Sequence, residues 1–393
     1  MAKVALFSNY INHHQLPFCK QMVSLTNNNF NFVSQKAISL KRIPLGYKDI
    51  SNDYDFVVKT YESKQELDKA YKLANECDYV IFGATKDDYF IQRLNENKIT
   101  FEYSERLNKK KKSIYMYIKT YISFLIHRRK YKNNKLYLLC SGGYVANDFN
   151  MFNTYKGKTY KWGYFPEFIE YDIDKLIKAK QNNKLNILWT GRLIDWKHPE
   201  LVIELAKRLK EDACNFEINI IGSGELEEII KKDIIDSNLS NEVHMLGSMS
   251  PEEVRKHMEL ANALLITSDT GEGWGVVVNE GMNSGCVVLS SSTVGSSTFL
   301  IKHKHNGLIY RNDDFEDLYQ NMQLLFNNDF RNNLGINAYN TIKSEWNAEV
   351  AATRFLKLAQ CLDKGEDTPF TDGPCSKAIP IKDKDMYNYL VKE

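Results

Sequence analysis

The sequence predicts an α/β fold built on parallel sheets, and three observations carry that expectation. Short apolar runs alternate with longer helical patterns over most of the chain, the order of strands each followed by a crossover helix. The helical patterns show one apolar face each, so they are expected to cover the sheets. The length, 393 residues, exceeds one ordinary core and suits two domains.

Taken in order, the first run, KVALFS, reads as a strand rather than a secretion signal, being too short and lacking a small-residue cleavage site. A helix follows from about Leu16. CDYVIFGA, KITFEYS and KLYLLCS are the next strands, and NILWTG, FEINIIGSG, EVHMLGS, ALLITSD, GCVVLSS and GLIYR are those of the second half. In PELVIELAKRLK, Leu201, Ile203, Leu205, Ala206 and Leu209 form the apolar face, Pro199 suits a first helical position and the last turn is basic. In SPEEVRKHMELA, Ser250 is the N-cap, Pro251 follows it and Glu253 completes a capping box. The polar segment 170–184 reads as a hinge between two βα halves, 1–168 and 185–362. The C-terminal segment 364–393 is expected to rejoin the first of them.

Composition narrows the function classes. Charged residues at 26% with 43% hydrophobic describe a chain that folds in water, and no run approaches the roughly 18 apolar residues of a membrane span. The seven cysteines are scattered without C-x-x-C spacing, so neither a disulfide framework nor a zinc site is indicated, and a reducing cytoplasm is the expected setting. No metal site is expected from the sequence.

The second half carries the chemistry. After the strand NILWT come Gly191 and Arg192, then Lys197 just before a helix opens. A strand end, a cationic loop and a helix N-terminus converge on an anion such as a diphosphate, although two solvated surface cations would read the same way. A second strand ends in 222-GSGE-225, where Gly222 either lets backbone approach a ligand or makes a tight turn. The stretch 272-EGWGVVVNE-280 places Glu272 in a loop and Glu280 a turn and a half into a helix running to Gly285. The amides of Gly273, Trp274, Gly275 and Val276 then sit where the helix begins, available to phosphate or sugar hydroxyls. The bland alternative is a solvated Glu280 and a Glu272 stabilised by the helix dipole.

This ordered set, G-R-x4-K, G-x-G and E-G-W-G-x4-E, resembles retaining glycosyltransferases of family 4 over nearly all of residues 186–360, including 346-WNAEVAATRF-355. The resemblance implies the GT-B fold, two Rossmann-like domains facing each other across a cleft. It implies that Arg192 and Lys197 hold the donor's diphosphate, that Glu280 binds the ribose, and that Glu272 with the 273–276 loop meets the donor sugar. Met249, after the strand ending at Gly247, falls beside the base. The implied reaction is front-face transfer of a hexose from a nucleotide diphosphate sugar, UDP-linked, to a glycan or lipid-linked acceptor, with the leaving phosphate assisting deprotonation and no metal required. Two departures stand out. The loop 295-GSSTF-299 lacks the glycine pair and glutamate of many relatives, and 99-ITFEYSERL-107 lacks a histidine, leaving Glu105 or Arg106 to serve near the acceptor. His13 and His14, in the loop after the first strand, are the remaining histidine candidates for contact with phosphate or acceptor.

A last feature lies outside these motifs. Between Glu105 and Asp148 the chain has no acidic residue and eleven Lys and Arg, and 109–135 flanks an apolar centre, Ile114 to Ile126, with cations. This suits a helix lying on an anionic membrane, each nearby cation contributing about 1 kcal/mol, and would make the protein peripheral on the inner face. A core helix with basic loops is the alternative; nucleic acid is not an expected partner. Two rival functions share the fold: a catalytically silent sugar-nucleotide binding partner of another transferase, and a sugar-nucleotide epimerase.

Overall fold

The computed structural model describes residues 1–39, 48–85, 88–107, 109, 114–181 and 183–392. Thirteen strands appear among them: β1 Val4–Ser8, β2 Phe30–Ser34, β3 Val57–Lys59, β4 Tyr79–Phe82, β5 Thr100–Ser104, β6 Leu136–Ser141, β7 Thr159–Trp162, β8 Leu185–Thr190, β9 Phe216–Ile221, β10 Val243–Gly247, β11 Ala263–Ile266, β12 Val287–Ser291 and β13 Leu308–Tyr310. They form two sheets, ordered β3-β2-β1-β4-β5-β6-β7 and β10-β9-β8-β11-β12-β13. Every strand pair is parallel. In each sheet the strand order reverses beside the first strand, at β1/β4 and at β8/β11, and such switch points open a crevice at the carboxyl ends of the strands.

Both sheets are covered on both faces, which is why strands such as β1, β4 and β12 are buried at every position. All ten runs read as strands are strands. Three more, β2, β3 and β7, escaped notice because they are short or interrupted by polar residues. The helix Leu16–Leu25 and the capping box of Ser250 and Glu253 are present. Pro199 is the N-cap of Glu200–Glu211 rather than its first residue.

The contacts divide the chain into two units, residues 1–167 with 345–381, and residues 168–344 with 382–393. These bounds correct those drawn from sequence in three places. The helix Ala348–Asp363 belongs to the N-terminal unit, where Phe355 packs edge-on against Phe101 at 4.9 Å between ring centroids and against Trp162 at 6.0 Å. Its apolar face, Ala351, Ala352, Phe355, Leu358 and Ala359, is fully buried there. Residues 364–381 also lie in this unit, with Ala378 N donating to Thr159 O at 3.0 Å, but the terminal helix Asp383–Leu390 belongs to the other: Tyr387 donates to Asp317 at 2.7 Å, under the Arg311 guanidinium. The expected hinge is a packed part of the C-terminal unit. Its helix Ile173–Ala179 is capped by Asp172, and Lys180 Nζ is buried among the carbonyls of Met258, Ala261 and Ser284 at 2.7–2.9 Å. Lys180 is the buried cation of a segment whose other charged side chains are exposed.

Candidate active site

The site residues of the C-terminal unit lie along the carboxyl edge of the six-stranded sheet, at the loops following β8, β9, β10 and β11. After β8 the chain makes a 3-10 turn at Asp195–Lys197 and passes through His198 in the left-handed region, φ 48°. The loop comes very close to its neighbour: a Cβ on Gly222 would lie 1.8 Å from Gly191 O, and one on Gly224 2.3 Å from Leu193 O. Gly222 is therefore the backing of Gly191, a role in backbone packing. Met249 is half-buried in the loop after β10, which Ser248 ties to the β9 loop through Ser223 at 2.8 Å.

Arg192 is exposed and Lys197 nearly enclosed, and both stand over the ring of Trp196, at 5.6 and 4.9 Å from its centroid. Trp196 was missed in the sequence because it falls among the unspecified positions of G-R-x4-K. Its carbonyl accepts from Asp269 N at 3.0 Å, joining the β8 loop to the β11 loop. Thr267 adds a second tie, donating to Lys197 O at 2.5 Å while accepting from Trp189 Nε1 at 2.9 Å. His198 adds a third, between Glu200 at 2.6 Å and Asp269 at 3.4 Å. The bond to Glu200, followed by that to Asp269, raises the imidazole to about 9, so it is a cation at neutral pH.

The two glutamates of 272-EGWGVVVNE-280 have opposite surroundings. Glu272 is ion-paired with Lys197 and accepts from Ser268 Oγ at 3.3 Å. Glu280, on the helix Val277–Asn283, has no hydrogen bond or ion pair on its carboxylate among the described residues, and burial pushes its pKa up against the opposing charge of Arg255. Arg255, not foreseen, fixes this helix by donating to Glu280 O at 3.0 Å and to Asn283 and Ser284 side chains at 3.3 Å.

Between them the 273–276 loop is held from behind. Gly295 N, Ser296 N and Ser296 Oγ donate to the carbonyls of Gly273, Trp274 and Gly275 at 3.2, 2.7 and 3.0 Å. Trp274 is 1% exposed and its indole N–H donates to Asn279 at 2.8 Å, so its ring is an anchor inside the unit. Gly275 takes φ 79°, a conformation that favours glycine. While the carbonyls of 273–275 turn to 295–296, the amides of Gly273, Gly275 and Val276 have no hydrogen bond among the described residues. The loop 295-GSSTF-299, singled out as a departure, is the support of this amide array.

His13, His14 and Glu105 lie at the corresponding edge of the seven-stranded sheet, in the N-terminal unit, after β1 and β5. Burial, and secondarily His13, lowers His14 to about 3, so it is a neutral imidazole at physiological pH. A neutral imidazole there offers a hydrogen bond rather than a positive charge. It shares a pocket with Gln15, Phe18, Tyr103, Trp162 and Tyr164. Glu105 accepts from Tyr164 OH at 2.7 Å and pairs with Lys109. Arg106 is 7% exposed, near Asp148 and over the Tyr144 ring. No group of three or more metal-ligating side chains occurs among the described residues.

Two parallel α/β units, each with a strand-order reversal beside its first strand, have the organisation of the GT-B fold. Residues 171–341, nearly all of the main segment of the C-terminal unit, match the family described as Glycosyl transferases group 1. An uncharacterised glycosyltransferase of Methanocaldococcus jannaschii is 27% identical over 194 residues, 48% of each chain. The amylovoran biosynthesis glycosyltransferase AmsK of Erwinia amylovora is 33% identical over 139 residues, 34% of each chain. The chain thus spans half or less of these curated relatives. In fold, HepE of Anabaena, solved in complex with UDP, superposes with a TM-score of 0.66 at 13% identity, covering 93% of this chain and all of that one. Both sheets match GT-B glycosyltransferase structures, and the likeness to the group 1 glycosyl transferases covers residues 171–341.

Proposed function

We propose that this protein is a retaining glycosyltransferase that moves a hexose from a UDP-sugar to a glycan or lipid-linked acceptor in cell-surface polysaccharide synthesis. The observation that carries the reading is Glu280: a half-buried carboxylate with no hydrogen bond or ion pair among the described residues, on the same sheet edge as Arg192, Lys197 and the amides of Gly273, Gly275 and Val276, which likewise have none. A carboxylate that burial partly strips of water gains from added donors, and paired ribose hydroxyls would supply them. The UDP held by HepE and the amylovoran role of AmsK support the donor and the pathway class.

In the proposed reaction the anomeric C–O bond to the diphosphate breaks as the acceptor oxygen bonds the same face of that carbon, and the acceptor's proton passes to the departing phosphate oxygen. Arg192, Lys197 and the amides stabilise the charge that develops on the diphosphate. These groups supply positive charge themselves, so the reading calls on no metal ion. Lys197 and Glu272 neutralise one another in the free protein, and the donor separates their tasks, Lys197 turning to phosphate and Glu272 to sugar hydroxyls. Glu105 and His14 would act on the acceptor side. The seven free thiols suit a reducing cytoplasm.

The test is a thermal-shift and nucleotide-release screen against UDP-, GDP-, ADP- and dTDP-sugars. UDP-sugars are expected to stabilise the chain and release UDP slowly; binding at 100 times Kd would add about 2.7 kcal/mol. Glu280→Gln should weaken donor binding at least about tenfold, equivalent to about 1.4 kcal/mol, without lowering the melting temperature. Stabilisation without release, even with acceptor present, would instead indicate a binding partner of another transferase.

A further inference from the structure

The basic segment 109–135 is not used by the proposed reaction, and its central helix, Ile114–His127, has an inverted surface. Part of the run, 110–113, lies outside the described residues. Tyr121 and Phe124 turn inward, with ring centroids 5.5 Å from Phe152 for the first and 5.1 and 4.7 Å from Phe149 and Phe152 for the second. The outward face carries Tyr115, Ile118, Ile122 and Ile126, exposed by 71, 48, 48 and 62%. At about 100° per residue these four fall within an arc of roughly 80°. A stripe of large apolar side chains directed at solvent is unusual on a protein surface and marks a contact face.

The charge around the stripe says what covers it. Lys119 lies on the same face, and Arg129, Lys130 and Lys132 follow at the helix's C-terminal end; all four are exposed and have no acidic partner among the described residues. A second copy packed by twofold symmetry would set this unopposed positive field against itself. An anionic bilayer matches both features, accepting the apolar stripe at the acyl boundary and the cations at its headgroups. We propose that the solvent face of Ile114–His127 is a docking surface for an anionic membrane, with Tyr115, Ile118, Ile122 and Ile126 inserted and Lys119, Arg129, Lys130 and Lys132 on the headgroups. No helix among the described residues is long and apolar enough to cross a membrane, so the attachment is peripheral and salt-sensitive. The inference stands on this helix alone and not on the transfer reaction.

The experiment is flotation of the full chain with vesicles of phosphatidylglycerol and phosphatidylcholine, against phosphatidylcholine alone. The expected result is capture by the anionic vesicles at least about tenfold above the neutral ones, falling with added salt. The triple variant I118S/I122S/I126S, checked for an unchanged melting temperature, should lose about tenfold of that capture. Because its side chains all lie in solvent, K119Q/R129Q/K130Q/K132Q keeps the test open should the triple variant fail to fold, and it should lose the preference for anionic lipid. Absence of capture by anionic vesicles, or equal capture by the variants, overturns the proposal. So does a dimer in sedimentation that the triple variant abolishes, which would assign the face to a second copy. Nucleotide release measured without vesicles is independent, so failure of one reading leaves the other untouched.

Discussion

His198 couples the cationic loop to the strand beside it. It occupies the left-handed region directly after Lys197 and is held as a cation between Glu200 and Asp269. Because its folded pKa, about 9, is above the ordinary 6.5, the folded chain keeps a proton that the unfolded chain loses first. The stabilisation is complete below pH 6.5 and disappears as pH rises through 9. Urea unfolding of the wild type should therefore show falling stability from pH 6.5 to 9, and His198→Gln should flatten that fall while lowering stability at pH 6. A parallel fall in both proteins would remove His198 from the account. The spacing of Arg192 and Lys197 was legible because charge and strand ends are visible in a sequence. Trp196, His198 and Arg255 were not, since their partners are brought to them by tertiary contacts from other loops.

Elements were read best where periodicity and caps coincide, as in Pro251–Leu260, whose capping box forms as written. They were read least well where one strand is too short to show a period, as in Val57–Lys59. The loop 295–298 shows a different limit. Its serines and threonine look like a surface turn, yet they are almost wholly buried and support the amides of 273–276. A glycine pattern is equally ambiguous from sequence: 222-GSGE-225 resembles a phosphate loop, whereas its glycines let two backbones touch. Gly224→Ala would press a methyl against the Leu193 carbonyl and should cost about 3 kcal/mol or more, because backbone cannot yield as a side chain does. Gly365→Ala, at φ 79° with open space around it, should cost only about 1–2 kcal/mol, from backbone strain alone. Denaturant midpoints of the two variants compare these directly; equal losses would mean that the β8 and β9 loops separate without penalty.

At the scale of the whole molecule the two units are not two consecutive lengths of chain. The family match ends at 341, just before the chain returns at 345 to the N-terminal unit, whose sheet is covered by Ala348–Asp363. A chain ended at Ser344 keeps every strand of the six-stranded sheet but strips Phe101 and Trp162 of the Phe355 contact. Limited proteolysis of that truncation should digest the N-terminal unit at least tenfold faster, roughly the effect of losing a buried helix face, and leave a resistant fragment near 168–344. Equal resistance of both units would show the helix to be dispensable. The same threading acts during synthesis on the ribosome. Residues 1–167 emerge first but must wait for 168–344 to be translated before their covering helix exists, a delay of roughly 10–35 s at about 5–20 residues per second. Through that interval the nascent N-terminal sheet has an apolar face that its own chain cannot yet cover, the kind of surface that chaperones bind.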